Sequence, residues 1–241
     1  MNLKLYPARL AGAVAAIPSK SDAHRALICA ALADKPTQLI LKGEPSEDMR
    51  ATVRCVTALG GAVRWDAGGA AVSPIRETPH APVLDCGESG STLRFLLPVA
   101  AAVCGGFSAV GQGRLPERPL GALMKAMEAG GCTFSAHKLP LTVSGRLCAG
   151  EYALPGNISS QYVSGFLLAF PLLSGESRVR LTTPLESRGY VEMTCNAMRR
   201  FGAAVEKFSD GFAVRGGGYV SPGEAQIEGD WSNAAFWLAA R

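Results

Sequence analysis

The sequence predicts an α/β (α+β) fold: three β-α-β-α-β-β units that can close around a pseudo-threefold axis with buried helices. Three observations carry this expectation. Ser21, Ser91, Ser160 and Ser232 recur at steps of 70, 69 and 72 residues. Each opens a nearly all-apolar stretch: 26–33, 95–103, 163–173 and 234–240. A second landmark follows the first three, with Gly60, Gly130 and Gly202 recurring at steps of 70 and 72. Self-similarity at a fixed period marks a repeated supersecondary unit and rules out a plain doubly wound sheet.

The apolar stretches are too long for strands and lack a polar face, so they read as buried helices with Ser near the N-cap. The glycine landmarks each end an amphipathic helix (48–59, 119–129 and 190–201) at a C′ position and pass into a strand. Short strands are expected at 38–41, 107–110 and 178–181, before the amphipathic helices. After them come the pairs 62–65 with 70–73 and 205–208 with 211–215. A further extended segment, such as 83–85, leads to the next glycine and serine. Asp230-Trp231-Ser232-Asn233 opens a fourth apolar helix, read as the start of a cut unit whose Trp231, Phe236 and Trp237 lack a surface to pack on.

Composition bounds the function. A chain of 241 residues with 48% hydrophobic and 18% charged residues is globular rather than disordered. A formal charge of +4 excludes a strongly basic nucleic-acid surface and is compatible with anionic small molecules. The seven cysteines are odd in number, scattered and never spaced as CxxC, which implies a reducing compartment, no disulfide framework and no metal cluster. The first eighteen residues contain neither a signal-like charged and apolar pair of regions nor an apolar span. A soluble, cytoplasmic protein is expected.

Three buried helices begin at Ser- and amide-rich turns: Pro18-Ser19-Lys20-Ser21, Gly87-Glu88-Ser89-Gly90-Ser91-Thr92 and Gly156-Asn157-Ile158-Ser159-Ser160-Gln161. Helix N-termini present free N–H groups and a positive dipole end, which suits phosphate or carboxylate. Taken singly, each turn fits a structural cap as well. Cationic company favours the anion site. Lys20 precedes Ser21, Arg25 lies one turn further on the same face, Arg94 follows Ser91, and Arg114 and Arg118 lie in the turn 111–119. An apolar helix avoids arginine unless it is paired or holds a ligand.

General acid–base candidates are poor. His24 reads as a partly buried neighbour of the Arg25 turn, and His80 and His137 as loop residues. Glu117 and Asp230 have no visible partner. Gly216-Gly217-Gly218 follows a strand pair without a lysine and reads as a loop.

In order, Pro18-Ser19-Lys20-Ser21-Asp22-Ala23-His24-Arg25, Gly87-Glu88-Ser89-Gly90-Ser91-Thr92-Leu93-Arg94, Glu117-Arg118-Pro119-Leu120, Ser159-Ser160-Gln161 and Ser187-Arg188-Gly189-Tyr190 resemble the motifs of the EPSP synthase (3-phosphoshikimate 1-carboxyvinyltransferase) family of enolpyruvyl transferases. The match runs the length of the chain. The resemblance implies two similar domains of three units each, with substrates in the cleft between them. Residues 1–17 would be a strand segment belonging with the second domain, 18–228 the N-terminal substrate-binding domain, and 229–241 the start of a truncated second domain.

The implied reaction transfers the enolpyruvyl group of phosphoenolpyruvate to the 5-hydroxyl of shikimate 3-phosphate and releases phosphate, on the route to chorismate and the aromatic amino acids. The resemblance implies no metal and no organic cofactor. Lys20 would contact phosphoenolpyruvate, and Ser21 and Arg25 would hold shikimate 3-phosphate. Ser159, Ser160 and Ser187 would bind its phosphate, Gln161 would touch both substrates, and Tyr190 would pack on the ring. Gly90 and Arg118 would face the phosphate of phosphoenolpyruvate. Lys20 and Gln161 are the catalytic candidates within this chain.

There are departures. Ser19 replaces a usual glycine, and Glu88 stands where Asn is common. Glu88 should weaken phosphoenolpyruvate binding unless it pairs with a cation such as Arg94 or Arg118. The family's acid–base carboxylate and lysine belong to the second domain, so the chain alone is expected to bind substrate without turnover. The alternatives are a non-catalytic shikimate 3-phosphate binding module and a UDP-N-acetylglucosamine enolpyruvyl transferase relative. The latter ranks last because its family carries a reactive cysteine in the loop corresponding to 111–119, which has none.

Overall fold

The computed structural model describes Lys4 and residues 11–240. The expected strand segment 1–17 lies largely outside these residues, as does Arg241; residues 11–17 form exposed chain without strand pairing. The first unit runs α1 (Lys20–Ala31), β1 (Thr37–Ile40), α2 (Glu47–Ala58), β2 (Ala62–Asp66), β3 (Gly69–Ser73) and β4 (Val83–Asp85). The second runs α3 (Gly90–Val103), β5 (Gly106–Val110), α4 (Gly121–Ala129), β6 (Thr133–Phe134), β7 (Leu141–Ser144) and β8 (Glu151–Leu154). The third runs α5 (Ser160–Ala169), β9 (Glu176–Leu181), α6 (Arg188–Arg200), β10 (Glu206–Phe208), β11 (Gly211–Arg215) and β12 (Glu224–Gln226), and α7 (Trp231–Ala239) follows.

The strands form three four-stranded sheets of one pattern: β12-β1-β3-β2, β4-β5-β7-β6 and β8-β9-β11-β10. In each, the last strand of one unit pairs parallel with the first strand after the buried helix of the next, at Leu39↔Ala225, Leu84↔Ala109 and Tyr152↔Val179. The remaining pairs are antiparallel. Because β12 of the third unit returns to β1 of the first, the units close in a ring, as the threefold reading requires. The expected β-α-β-α-β-β order appears when each unit is counted from its parallel edge strand.

The three helices that open the units lie inside this ring. Asp22 to Ala31 of α1, Phe95 to Ala101 of α3 and Tyr162 to Ala169 of α5 are buried. Helices apolar on every side require such a position, and each fully buried Leu or Phe contributes about 1.5–3 kcal/mol. α3 and α5 touch backbone to backbone: a Cβ at Gly165 would stand 2.3 Å from the Arg94 carbonyl oxygen. At the far ends, each unit's hairpin exit satisfies a terminal carbonyl. Ile75 N–H donates to Ala31 O (2.7 Å), Leu147 N–H to Ala101 O (3.0 Å) and Gly217 N–H to Pro171 O (3.0 Å).

Four details differ from the sequence expectation. The caps are Ser19, Ser89, Ser159 and Asp230, one or two residues before the recurring serines, because their side chains accept the N–H groups of the first turn. In the second unit the left-handed C′ glycine is Gly131 (φ 100°) rather than Gly130 (φ −90°), because Gly130 itself is the C-cap after the last helical residue, Ala129. His24 is fully buried, since α1 packs between α2 and α6 and the ring lies against Thr52 of α2 and Phe95 of α3. The fourth apolar stretch reads by pattern as a buried helix, but α7 has no buried residue, in keeping with the expectation that Trp231, Phe236 and Trp237 lack a surface to pack on. Trp231, Phe236, Trp237 and Leu238 are exposed, and Trp231, Trp237 and Leu238 border, with residues 11–14 and Ala16, an open cavity of about 710 Å³.

Candidate functional site

At α1 the Ser19 hydroxyl accepts the Asp22 N–H at 3.3 Å, so capping is done two residues before the recurring serine. Lys20 and Ser21 are thereby left on the rim. Lys20 Nζ sits 2.7 Å from Asp48 Oδ2 in the first turn of α2. Arg25 is buried, and its three hydrogen bonds all end on neutral oxygens: Nε to Thr194 Oγ1 at 2.7 Å, Nη1 to Ser21 O at 2.6 Å and Nη2 to Tyr190 O at 3.0 Å. The Phe95 ring backs it at 4.8 Å. Burial draws the guanidinium down to about 10, with the Asp22 carboxylate opposing, so it stays charged at neutral pH. A cation desolvated on neutral acceptors keeps its charge available for an anion.

At α3, Ser89 caps the helix by accepting the Thr92 N–H at 3.2 Å, and Gly90 takes the first helical position. A Cβ at Gly90 would stand 2.7 Å from Arg118 Nη1 and 3.4 Å from Arg94 Nη1. Glycine therefore lets two guanidinium groups close on the helix end. Arg94 Nη1 donates to Gln161 Oε1 at 2.7 Å, and Gln161 Nε2 donates to Ser91 Oγ at 2.8 Å, which ties α3 to α5. Burial lowers the Arg94 pKa, Tyr162 opposes this, and nearby Arg118 adds to it. Glu88 pairs with neither Arg94 nor Arg118 among the described residues. Its carboxyl rests against Gly113, where a Cβ would meet it at 2.4 Å.

At α5, Ser159 caps by accepting the Gln161 N–H at 3.3 Å, and Ser160 and Gln161 follow it on the half-buried rim. The approaching loop is held by Thr183, whose hydroxyl accepts from Gly156 N–H at 2.9 Å and Asn157 N–H at 3.2 Å. At α6 the N-cap Ser187 adopts the left-handed conformation (φ 53°, ψ 40°), and its side chain makes no capping bond. A non-glycine residue held there costs of order 1–3 kcal/mol, the kind of strain that collects at functional sites. Tyr190, one turn on, is 44% exposed, which leaves a ring face open beside Arg25.

Packing of α1 on α2, α2 on α3, α3 on α5, α5 on α6 and α6 on α1 closes a ring. Direct bonds or close approaches join Arg25 to Tyr190, Lys20 to Asp48, Gln161 to Ser91 and Arg94, and Gly90 to Arg118. Apart from the local bonds from Gln161 N–H to Ser159 Oγ and from Tyr190 N–H to Ser187 O, Ser159, Ser160 and Ser187 make no bond to the other candidates among the described residues. They reach the same rim through the packing of α5 on α6. Four helix N-termini and four cations, Lys20, Arg25, Arg94 and Arg118, make one anion-receptive face.

Beneath it runs a buried hydroxyl line. His24 Nδ1 lies 2.6 Å from Thr52 Oγ1, Thr52 Oγ1 2.7 Å from Thr92 Oγ1, and Thr92 Oγ1 2.8 Å from the Ser89 hydroxyl. Asp48, Thr52 and Thr194 carried no recognisable signal in the sequence. Arg94 did, as an arginine inside an apolar helix, although no role was assigned to it. Asp230 is explained structurally: its carboxylate caps α7 by accepting the Asn233 N–H at 2.9 Å.

A profile described as EPSP synthase (3-phosphoshikimate 1-carboxyvinyltransferase) matches residues 6–241. The curated 3-phosphoshikimate 1-carboxyvinyltransferase of Clostridium beijerinckii is 38% identical over 250 residues, covering 99% of this chain and 57% of the relative. That of Clostridium kluyveri is 39% identical over 243 residues, covering 98% and 56%. Among solved structures, EPSP synthase from Acinetobacter baumannii matches with TM-score 0.78 at 23% identity, over 94% of this chain and 52% of that one. The enolpyruvyl transferase NikO from Streptomyces tendae matches with TM-score 0.72 at 18% identity, over 95% and 55%. These two likenesses speak to the fold alone. The chain spans a little over half the length of the curated relatives it matches. With the profile matched from residue 6 to residue 241, the chain belongs to the EPSP synthase family.

Proposed function

We propose that this chain carries the shikimate 3-phosphate half of an enolpyruvyl transferase site, together with part of the phosphoenolpyruvate site. The observation that supports this best is Arg25, a buried guanidinium held on neutral oxygens at the rim where α1 and α6 meet. In this reading Ser21 and Arg25 hold shikimate 3-phosphate, Ser159, Ser160 and Ser187 bind its phosphate, and Tyr190 lies on its ring. Gly90, Arg118 and Lys20 receive phosphoenolpyruvate. Gln161, already bonded to Arg94 and Ser91, spans both. Lys20 neutralises charge on the enolpyruvyl donor, and Gln161 aligns the two substrates.

The reaction joins the 5-hydroxyl oxygen to the enolpyruvyl carbon, with loss of the hydroxyl proton and protonation of the methylene to a methyl group, and then expels phosphate as one methyl proton is removed and the double bond re-forms. Those proton transfers need an acid–base pair, which we assign to the length that the relatives have and this chain does not span. The proposed division places 18–228 in the substrate domain, 1–17 and 229–241 with the remaining part, and that part against the exposed apolar face of α7. Alone, the chain binds shikimate 3-phosphate without turnover. We also propose a cytoplasmic location; among the described residues no helix is long and apolar enough to cross a membrane.

Calorimetry of the chain with shikimate 3-phosphate tests the reading. Saturable binding that Arg25→Ala and Ser160→Ala each weaken supports it, and unchanged affinity in both variants removes those residues from the site. Phosphate release from both substrates above background by the purified chain would overturn the non-turnover assignment.

A further inference from the structure

Glu88 precedes the Ser89 cap of α3 and is exposed, without an ion-pair partner among the described residues. Its side chain crosses from the turn before α3 to the loop 111–118. A Cβ at Gly113 would stand 2.4 Å from Glu88 Oε1 and 2.7 Å from Oε2. Below this crossing the two segments are fixed to each other: Gln112 N–H donates to Gly87 O at 2.8 Å, and a Cβ at Gly111 would lie 3.2 Å from the same oxygen. The same loop then brings Arg118 Nη1 over Gly90. One turn of chain and one loop thus present a helix N-terminus, a guanidinium and an unpaired carboxylate together. Ser89 between them is occupied with the Thr92 N–H.

A carboxylate repels an oxyanion that has lost all its protons, but it accepts a hydrogen bond from one that retains an acidic hydrogen. Hydrogen phosphate and sulfate have the same charge and nearly the same shape, and only the former carries an O–H. We propose that Glu88 is a specificity-determining residue that makes the Gly90–Arg118 position select oxyanions bearing an acidic hydrogen. Arg118 and the α3 N-terminus supply the donors, and Glu88 supplies the acceptor. The position then favours inorganic phosphate over a fully ionised phosphoester, so it suits a released phosphate better than an arriving donor. This rests on the anion face proposed above and adds a rule of discrimination to it.

The test follows the Gly90 and Ser91 amide signals of the ¹⁵N-labelled chain during titration with inorganic phosphate and with sulfate, at pH 7 and constant ionic strength. In the wild type, phosphate is expected to bind about tenfold more tightly than sulfate, the scale of one hydrogen bond to a charged acceptor. Glu88→Gln and Glu88→Ala should each bring that ratio close to one, mainly through tighter sulfate binding. Because Glu88 is exposed, neither change disturbs the core, and thermal melts verify that both variants remain folded. Equal affinities in the wild type, or a ratio unchanged in both variants, overturn the role of Glu88 and leave the anion face standing. If neither ion moves these amides, the anion face falls and the role of Glu88 falls with it.

Discussion

Arg25 Nε and Thr194 Oγ1 meet at 2.7 Å although the residues are 169 positions apart in the chain. The contact joins the first unit to the third, and the Thr194 hydroxyl continues to Ser164 Oγ at 2.8 Å. Arg25 is thus both a rim cation and a pin between α1 and α6. Arg25→Met retains apolar stem packing while removing the charge. It is expected to lower shikimate 3-phosphate affinity by at least about tenfold, the scale of a lost charge-assisted contact. Thr194→Val, which removes the acceptor of Arg25 Nε and the hydroxyl donor but leaves the guanidinium charge in place, should cost about 1–2 kcal/mol of stability with a smaller loss of affinity. Calorimetry and urea denaturation of both variants separate the two roles. An equal loss of affinity in both would make Arg25 only a pin.

At Gly90 the prediction turns on what a methyl group would meet. The nearest atoms are the ends of two flexible arginine side chains, Arg118 Nη1 at 2.7 Å and Arg94 Nη1 at 3.4 Å. Gly90→Ala should therefore fold normally, and alanine in the first turn of a helix is not disfavoured. The displaced guanidinium should weaken anion binding at this position severalfold and leave shikimate 3-phosphate binding near its wild-type value. Phosphate titration monitored at Ser91 tests the first part, and calorimetry tests the second.

His24 gives the fold a pH dependence. Burial lowers its pKa from the ordinary 6.5 to about 3, with Asp48 opposing and Arg25 and Lys20 adding to the shift. The folded chain keeps the ring neutral, whereas the unfolded chain takes up a proton below about pH 6.5. The associated stability is complete above 6.5 and is lost as the pH falls toward 3, at up to about 1.4 kcal/mol per pH unit. Between pH 6.5 and 5 the loss should approach about 2 kcal/mol. His24→Asn, which keeps a polar group near Thr52, should remove that part of the slope. Urea denaturation of both proteins at pH 7 and pH 5 measures it, and parallel acid slopes would contradict the assignment.

The ring of units was legible because its period is written in serines and glycines at fixed steps, and burial of α1, α3 and α5 because those helices have no polar face. The pairing of β12 with β1 was not legible: Glu224–Gln226 is three residues long, and nothing local directs it to a strand almost 190 positions earlier. The site divided in the same way. Lys20, Ser21, Arg25, Gly90 and Gln161 lie in contiguous motifs. Thr52 and Thr194 are single threonines on amphipathic helices, and only the crossing of α2 and α6 over the buried helices gives them partners. His24 reads in the sequence as only partly buried, and its complete burial follows from contacts with Thr52 and Phe95 that lie far from it in the chain. The hydroxyl line to Thr52 and Thr92 satisfies its Nδ1, while Nε2 stays buried without a partner among the described residues.

Ser187 offers a test in which stability and binding respond differently. Its φ of 53° places it in the left-handed region at the cap of α6, yet its hydroxyl caps nothing. Glycine would remove a backbone cost of about 1–2 kcal/mol, and its own greater freedom in the unfolded chain would return about 0.5–1 kcal/mol. Ser187→Gly should therefore change stability by no more than about 1 kcal/mol, in the stabilising direction. If the strain serves to aim the hydroxyl at a phosphate, the same variant should lose about tenfold or more in shikimate 3-phosphate affinity, the value of a hydrogen bond to a charged group. Ser187→Ala keeps the strain and removes the hydroxyl, so it should show the same loss of affinity without the gain in stability. Wild-type affinity in both variants would mean that the strained turn only shapes the backbone.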